Sequence, residues 1–173
     1  MLGYVAIALV VSYATALLVL VVVANTFGDI LFKREVITNE KDRRKNILWA
    51  IIAAPIWEEA VFRGPIYFTM TTTGKNSPTT WCALIVTSVI FGVMHLFTYR
   101  IVPPAAQLIK GDRINNAGRI FRVCHCAIFG ISCGLLVMIT GSMISSVLLH
   151  SLVNTIGVAM ELRANKSASQ EEK

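Results

Sequence analysis

Two adjacent carboxylates and a guanidinium interrupt the apolar segment Ile47–Met70. They are Glu58, Glu59 and Arg63, within the stretch PIWEEAVFRG. An ionisable side chain at the centre of a membrane span costs about 2.5–3.5 kcal/mol, so such groups persist when they are paired or face a polar cavity. Because Glu59 and Arg63 are four residues apart, they share a helix face and can pair, whereas Glu58 is rotated by about 100°. We therefore expect Glu59 and Arg63 to be structural and Glu58 to be available for chemistry.

Two other apolar segments each carry a histidine paired with a second motif residue at helical spacing. Phe91 and His95 are four residues apart in FGVMH, and His150 and Asn154 are four residues apart in HSLVN. A single buried histidine is more often a satisfied core residue than a functional one. Counted along ideal helices, Glu58 and these polar residues all fall in the cytoplasmic half of a bilayer or near its midplane. We therefore expect them to meet in one cavity that opens to the cytoplasmic side.

The elements that would position these residues are apolar helices. The chain has 173 residues, of which 55% are hydrophobic, and a mean hydropathy of +0.64. This is more apolar than a typical soluble domain, and runs of about 20 apolar residues predict membrane spans. The predicted class is all-α, a polytopic membrane helix bundle with residues 1–165 as one domain and residues 166–173 as a disordered polar tail. The five predicted transmembrane helices are Leu2–Ala24, Ile47–Met70, Trp81–Thr98, Val123–Thr140 and Ser142–Leu162.

The positive charge of the chain alternates between the predicted connections. Residues 26–46 hold six Lys and Arg, residues 71–80 hold one, residues 99–122 hold five, and the turn at Gly141 holds none. Cytoplasmic connections carry the basic excess in membrane proteins. The pattern predicts an external N-terminus and a cytoplasmic C-terminus, and it attributes the net charge of +6 to membrane topology and not to nucleic-acid binding.

The four cysteines predict neither a disulfide framework nor a metal site. Cys82, Cys124, Cys126 and Cys133 all fall within predicted spans. Cys124 and Cys126 flank His125, but alternate residues on a helix point about 200° apart, so their thiols do not readily share an ion. We expect these cysteines to pack in the bundle, and we place His125 outside the site.

The three polar motifs together resemble those of a known family. EEAVFR, FGVMH and HSLVN are similar to the EExxxR, FxxxH and Hxxx(N/D) motifs of the CPBP family of CAAX-protease and bacteriocin-processing proteins, also called Abi proteins. The motifs occur in the family's order, and the resemblance covers Ile47–Gly157. It implies a membrane-embedded endopeptidase similar to the type II CAAX prenyl endopeptidases.

The resemblance also implies roles for the motif residues. Glu58 would be the base that activates water, His95 would assist it, and His150 and Asn154 would hold the oxyanion of the intermediate. A positioned carboxylate can act as a general base, and preorganised donors stabilise a developing oxyanion. The residues that would give structural support are Glu59, Arg63 and Phe91.

The sequence leaves the metal content open and favours none that is tightly bound. If a metal is present, Glu58, His95 and His150 would hold zinc and leave a position for water. The chain has no H-E-x-x-H helix. The expected partners are a membrane-anchored or prenylated peptide or protein substrate and the lipid bilayer. A homodimer would offset a helix number that is low for the family.

Two other functions also accommodate buried Glu, Arg and His residues. One is a small proton- or ion-translocating protein, although the chain lacks the paired repeats and interrupted helices expected of transporters. The other is a catalytically silent membrane adaptor that keeps the motifs for packing. As location, we favour a bacterial cytoplasmic membrane, with the endoplasmic reticulum as the alternative.

Overall fold

The computed structural model describes residues 2–27, 32–36, 46–96, 109–114 and 116–171. The backbone in these ranges is predominantly helical, which confirms the helical class predicted from the apolar runs. A short π-helix, Trp49–Ala53, leads directly into the second α-helix. The α-helices are α1 (Leu2–Phe27), α2 (Ala54–Thr73), α3 (Pro78–Met94), α4 (Asn116–Thr140) and α5 (Met143–Glu171).

A short two-stranded sheet lies outside the helices, and the sequence did not predict it. Strands β1 (Phe32–Val36) and β2 (Ile109–Ile114) pair in antiparallel fashion, with a bulge between Glu35 and Val36. β1 lies in the connection between α1 and α2, and β2 lies in the connection between α3 and α4. The sequence did not reveal this pair because each strand is short and its partner belongs to a different connection. The pairing places the two basic connections at the same end of the bundle.

Glycine and capping residues close the helical hairpins at the opposite end. α2 ends at Gly74, whose φ of 93° is open to glycine but strained for other residues. α3 begins after Ser77, whose side-chain oxygen accepts a hydrogen bond from the Thr80 N–H at 3.2 Å, and Pro78 suits the first helical position. Gly141, with a φ of 67°, follows α4 in the same way.

Helices α3 and α4 approach each other through small residues. A Cβ atom added at Gly92 would lie 2.5 Å from the backbone oxygen of Val123, and one at Gly130 would lie 3.1 Å from the Cβ atom of Ser88. A Cβ atom at Gly134 would overlap a leucine side chain of α3. Small residues at four-residue spacing let helix backbones pack closely in membranes. This contact fixes α3, and with it Phe91 and His95, against α4.

The larger apolar core joins helices α1, α3, α4 and α5. Its packing surrounds the polar residues that the sequence singled out, because Phe91 belongs to it. Its fully packed members are Val5, Phe91, Phe129, Cys133, Leu136 and Leu149.

Polar side chains lie inside the bundle and large apolar side chains lie outside it. Glu59, Arg63 and Ser88 have no exposed surface, whereas Trp57 and Phe68 are 69% and 66% exposed. Charged residues are rarely fully buried in soluble proteins, and contiguous exposed apolar surface marks contact with another apolar phase. The distribution therefore fits a bundle that is surrounded by lipid.

Within the described residues, two helical segments are long and apolar enough to cross a membrane. They are Gly118–Thr140 and Met143–Met160, and the apolar segments Gly3–Thr15 and Pro78–Met94 are shorter. The predicted number of five spans and the orientation of the termini therefore stay predictions.

All five helices extend beyond the predicted spans, and α4 and α5 extend furthest. α4 begins at Asn116, seven residues before the predicted start at Val123, and includes two arginines. α5 continues to Glu171, so the backbone is helical past residue 165, where the sequence predicted a disordered tail. Ala, Lys, Gln and Glu in this stretch are good helix formers, which explains the continuation. The division into one domain and a tail stays a prediction.

Candidate active site

A buried ion pair lies at the centre of the site. Glu59 and Arg63, one turn apart on α2, are both fully buried, and Arg63 Nε lies 3.1 Å from Glu59 Oε2. The Arg63 guanidinium also lies over the ring of Phe91, 4.9 Å from its centroid. Charge pairing and a cation–π contact both offset the cost of burying a guanidinium. The ion pair and Phe91 thereby join α2 to α3.

His150 connects the two carboxylates of α2. Its Nδ1 atom lies 2.9 Å from Glu59 Oε1 and donates a hydrogen bond to it, across 91 positions of the sequence. Its Nε2 atom lies 3.7 Å from Glu58 Oε2, which is longer than a hydrogen bond. The imidazole is almost fully buried, with 4% of the residue exposed. The result is a continuous chain of charged and polar groups in the order Arg63, Glu59, His150 and Glu58.

Glu58 is the accessible end of this chain. Its side chain is 29% exposed, in contrast to the fully buried Glu59 beside it. Its Oε2 atom is buried and has no hydrogen-bond partner among the described residues. A buried carboxylate oxygen without a donor is costly, so it is a natural position for a hydrogen bond from a substrate or from water.

Phe91 lies between the two predicted histidines. Its ring centroid is 4.4 Å from that of His95 and 5.9 Å from that of His150. The two imidazoles are therefore separated by no more than the sum of these distances. Phe62 packs edge-on against Phe91 at 5.1 Å. The aromatic ring thus brings the second and third motifs to one place, although no direct contact between His95 and Glu58 is among the described contacts.

His95 sits just past the end of α3 and not within the helix. Its backbone N–H bonds to the carbonyls of Gly92 and Val93, and its Nδ1 atom lies 2.7 Å from the carbonyl oxygen of Phe91. A carbonyl oxygen only accepts hydrogen bonds, so Nδ1 carries a proton, and in the neutral imidazole Nε2 presents a lone pair. Arg122 on α4 lies close enough to His95 to interact with it electrostatically.

Asn154 takes a position that the sequence did not predict. Its Nδ2 atom donates a hydrogen bond of 2.8 Å to the carbonyl oxygen of Ala50, in the π-helix that precedes α2. Asn154 therefore lies beside the start of α2, one turn along α5 from His150. The structure brings Glu58, Glu59, Arg63, Phe91 and His150 into one cluster, with His95 against Phe91 and Asn154 at its edge.

Sequence reasoning missed two neighbours of this cluster. The ring of Phe129 on α4 lies 5.2 Å from that of His150, and Ser146 interacts with the carboxylate of Glu59. Ser146 could have been found, because it lies four residues before His150 and so shares its helix face. Phe129 carried no such signal, since it lies in an apolar run and its neighbour is on another helix.

The candidate metal ligands are Glu58, His95 and His150. Within the part of the chain that the structure describes, no three His, Cys, Asp or Glu side chains are grouped as metal ligands. His150 Nδ1 is engaged by Glu59 and His95 Nδ1 by the Phe91 carbonyl, which leaves Glu58 and the two Nε2 atoms as donors. The expectation on metal content stays a prediction.

The fold and the cluster together define a class: a helical membrane protein with a buried acid–imidazole–acid centre. Comparison with protein families finds that the type II CAAX prenyl endopeptidase Rce1-like family matches residues 8–156, most of the chain. The chain belongs to this family, which confirms the resemblance drawn from the three motifs. Comparisons with characterised proteins and with solved structures found no match. Membership implies a membrane-embedded protease of the CAAX type.

Proposed function

We propose that this chain is a multi-pass intramembrane endopeptidase in which Glu58 activates water to cleave a prenylated or otherwise membrane-anchored substrate. The observation that carries the proposal is the position of Glu58. It is the exposed end of a buried charge chain, and its Oε2 atom lies 3.7 Å from His150 Nε2. Family membership supplies the substrate class, and this geometry supports the choice of the base.

Glu59 and Arg63 would orient His150 without taking part in the reaction. Because Nδ1 of His150 donates to Glu59, the Nε2 atom is turned toward Glu58. When His150 is protonated, its Nε2–H would be a charged hydrogen-bond donor. Arg63 would keep Glu59 ionised, so Glu59 would be a poor proton acceptor.

The reaction would follow from these positions. Glu58 takes a proton from water while the water oxygen attacks the peptide carbonyl carbon, and the carbonyl oxygen becomes an oxyanion. The Nε2–H of His150 stabilises that oxyanion, and the lone pair on Nε2 of His95 holds a hydrogen of the attacking water. Collapse of the intermediate expels the amine, which takes the proton from Glu58. The products are a carboxylic acid and an amine.

Purified protein in liposomes with a farnesylated CAAX peptide tests this proposal. Glu58→Gln keeps the shape of the side chain but removes the base, so turnover should fall by about 10²–10⁴-fold. Glu161→Gln, which changes a carboxylate outside the three motifs, should leave turnover unchanged. Cleavage by Glu58→Gln at the wild-type rate would exclude Glu58 as the base.

The same preparation separates the rival functions. An ion-translocating protein would collapse a proton gradient in liposomes and would cut no peptide, and an adaptor would do neither. A peptide without the prenyl group shows whether the lipid is recognised. Equal cleavage of both peptides would favour a broader class of peptide processing.

The proposed topology has five spans with an external N-terminus and a cytoplasmic C-terminus. The basic connections support it, and the pairing of β1 with β2 agrees with their placement on one side. Asn76→Cys, in the turn between α2 and α3, should react with an impermeant thiol reagent from outside intact cells. Labelling only after the membrane is opened would reverse the orientation. The homodimer and the bacterial cytoplasmic membrane stay predictions, testable by cross-linking and by fractionation of the source cells.

A further inference from the structure

The start of α2 contains a backbone carbonyl that its own helix cannot satisfy. In the π-helix Trp49–Ala53 the N–H of Ala54 bonds to the carbonyl of Trp49, five residues back. The same spacing would direct the N–H of residue 55 to the carbonyl of Ala50. Residue 55 is proline, which has no N–H. The carbonyl of Ala50 is therefore left without a helical donor.

The side chain of Asn154 supplies the missing hydrogen bond. Its Nδ2 atom lies 2.8 Å from the Ala50 oxygen, and the contact is partly buried. A carbonyl that is partly buried in an apolar bundle and has no donor is costly. One cross-helix hydrogen bond thus compensates for a defect that the π-helix and Pro55 create together.

This contact and the His150 contact lie on one face of α5. His150 and Asn154 are one turn apart, and they bind α2 at Glu59 and the segment before α2 at Ala50. The later residue of α5 binds the earlier position of the α2 segment, so the two helices are antiparallel at this contact. Two hydrogen bonds one above the other fix both the rotation of α2 about its axis and its position along α5. Glu58 is the residue whose direction this fixes, because its neighbour Glu59 is one of the two attachment points.

We propose that Asn154 is a positioning residue: its amide N–H caps the Ala50 carbonyl and thereby holds Glu58 toward His150. In its effect on cleavage this inference rests on the proposed function. It differs from the role implied by the family motif, in which Asn154 would donate directly to the oxyanion. If Asn154 contacts the oxyanion directly, replacing it should lower cleavage by the same factor whichever residue is at position 55. If Asn154 is a positioning residue, the loss should be smaller when residue 55 can donate an N–H.

A double-mutant cycle tests this dependence. Asn154→Ala in the natural chain should lower kcat by about ten-fold or more, with KM changed by less than about three-fold, because the buried carbonyl loses its donor. Pro55→Ala restores an N–H that can serve Ala50. In the Pro55→Ala background, Asn154→Ala should therefore lower kcat by less than about three-fold. The same fold-loss in both backgrounds would overturn the inference and favour direct contact with the oxyanion.

Thermal unfolding in detergent gives a readout that needs no substrate. Asn154→Ala should lower Tm clearly in the natural chain and much less in the Pro55→Ala background. Thr155→Ala is the matched control, since its hydroxyl donates a hydrogen bond to the Ser151 carbonyl of its own helix, and its effect should be equal in both backgrounds. If Asn154→Ala lowered Tm equally in the natural chain and in the Pro55→Ala background, the proposed role of the Asn154–Ala50 contact would be wrong.

Loss of folding is also informative in this design. If Asn154→Ala does not fold but the double variant does, the rescue supports the inference, and if neither folds the inference fails. If the natural chain cuts no peptide, the proposed function fails, while the unfolding cycle still tests the contact between Asn154 and Ala50.

Discussion

Arg63→Met removes one charge of a fully buried ion pair and should destabilise the bundle strongly. The long apolar side chain keeps most of the volume, but Glu59 loses the guanidinium and keeps only His150 and the uncharged Ser146 of the partners described above. Breaking a buried pair by removing one partner typically costs about 3–5 kcal/mol. We expect a loss in this range in the free energy of unfolding, which includes the lost contact with the ring of Phe91.

The double variant Glu59→Gln/Arg63→Met should recover most of that loss. The introduced glutamine has no charge to bury, and its side-chain oxygen can still accept the hydrogen bond from His150 Nδ1, which is 2.9 Å long in the natural protein. Replacing a buried pair by uncharged groups of similar volume is often nearly neutral. The double variant should therefore be within about 1–2 kcal/mol of the natural protein.

The measurement is unfolding by SDS in mixed micelles, followed by the fluorescence of the three tryptophans. Arg119→Met, at an exposed position of α4, is the control and should change the free energy of unfolding by about 0.5 kcal/mol or less. The reasoning would be refuted if Arg63→Met were as stable as Arg119→Met. It would also be refuted if the double variant were no more stable than Arg63→Met alone.

Three further predictions concern packing, catalysis and metal content. Gly92→Ala should lower the free energy of unfolding by about 1–3 kcal/mol, because the added Cβ would meet the backbone of Val123. Gly157→Ala, which has open space around it, should be neutral or slightly stabilising. Equal effects of the two variants in SDS unfolding would contradict the close contact at Gly92. His95→Ala should lower kcat by about 10²–10⁴-fold with little change in stability, and a change in KM alone would argue against a role in orienting water. Dialysis against a strong chelator should leave cleavage of the farnesylated peptide unchanged, and a loss that zinc reverses would establish a metal enzyme.

Local spacing predicted much of the helical framework. The apolar runs indicated helices because each is long and carries few charged residues, and the four-residue spacing placed Glu59 and Arg63 on one helix face. The structure has them 3.1 Å apart. The strands β1 and β2 escaped prediction because a five-residue strand without its partner has no distinctive pattern. The number of spans rested on length and hydropathy, and only two helical segments meet that test in the described residues.

Contacts between distant residues could not be read from spacing. The bond from His150 to Glu59 joins positions 91 apart, and the bond from Asn154 to Ala50 joins positions 104 apart. The bond from Asn154 to Ala50 depends on a π-helix, which has no simple sequence signature. The sequence does show that Pro55 lacks the N–H that a helix would use there. The three motifs predicted which polar residues matter because apolar helices hold so few of them. They did not predict which carboxylate His150 would bind most closely.

The close packing of α3 against α4 restricts the path by which a substrate of the proposed kind could reach Glu58. At Gly92 and Gly130 the two helices lie close together, and at Gly134 the space is filled by a leucine side chain of α3, so this contact is tightly packed. Under the proposed function, a lipid-anchored substrate would enter the bundle between a different pair of helices. Bulky residues introduced one at a time at the other helix–helix interfaces would identify the entry site as the interface where they block cleavage.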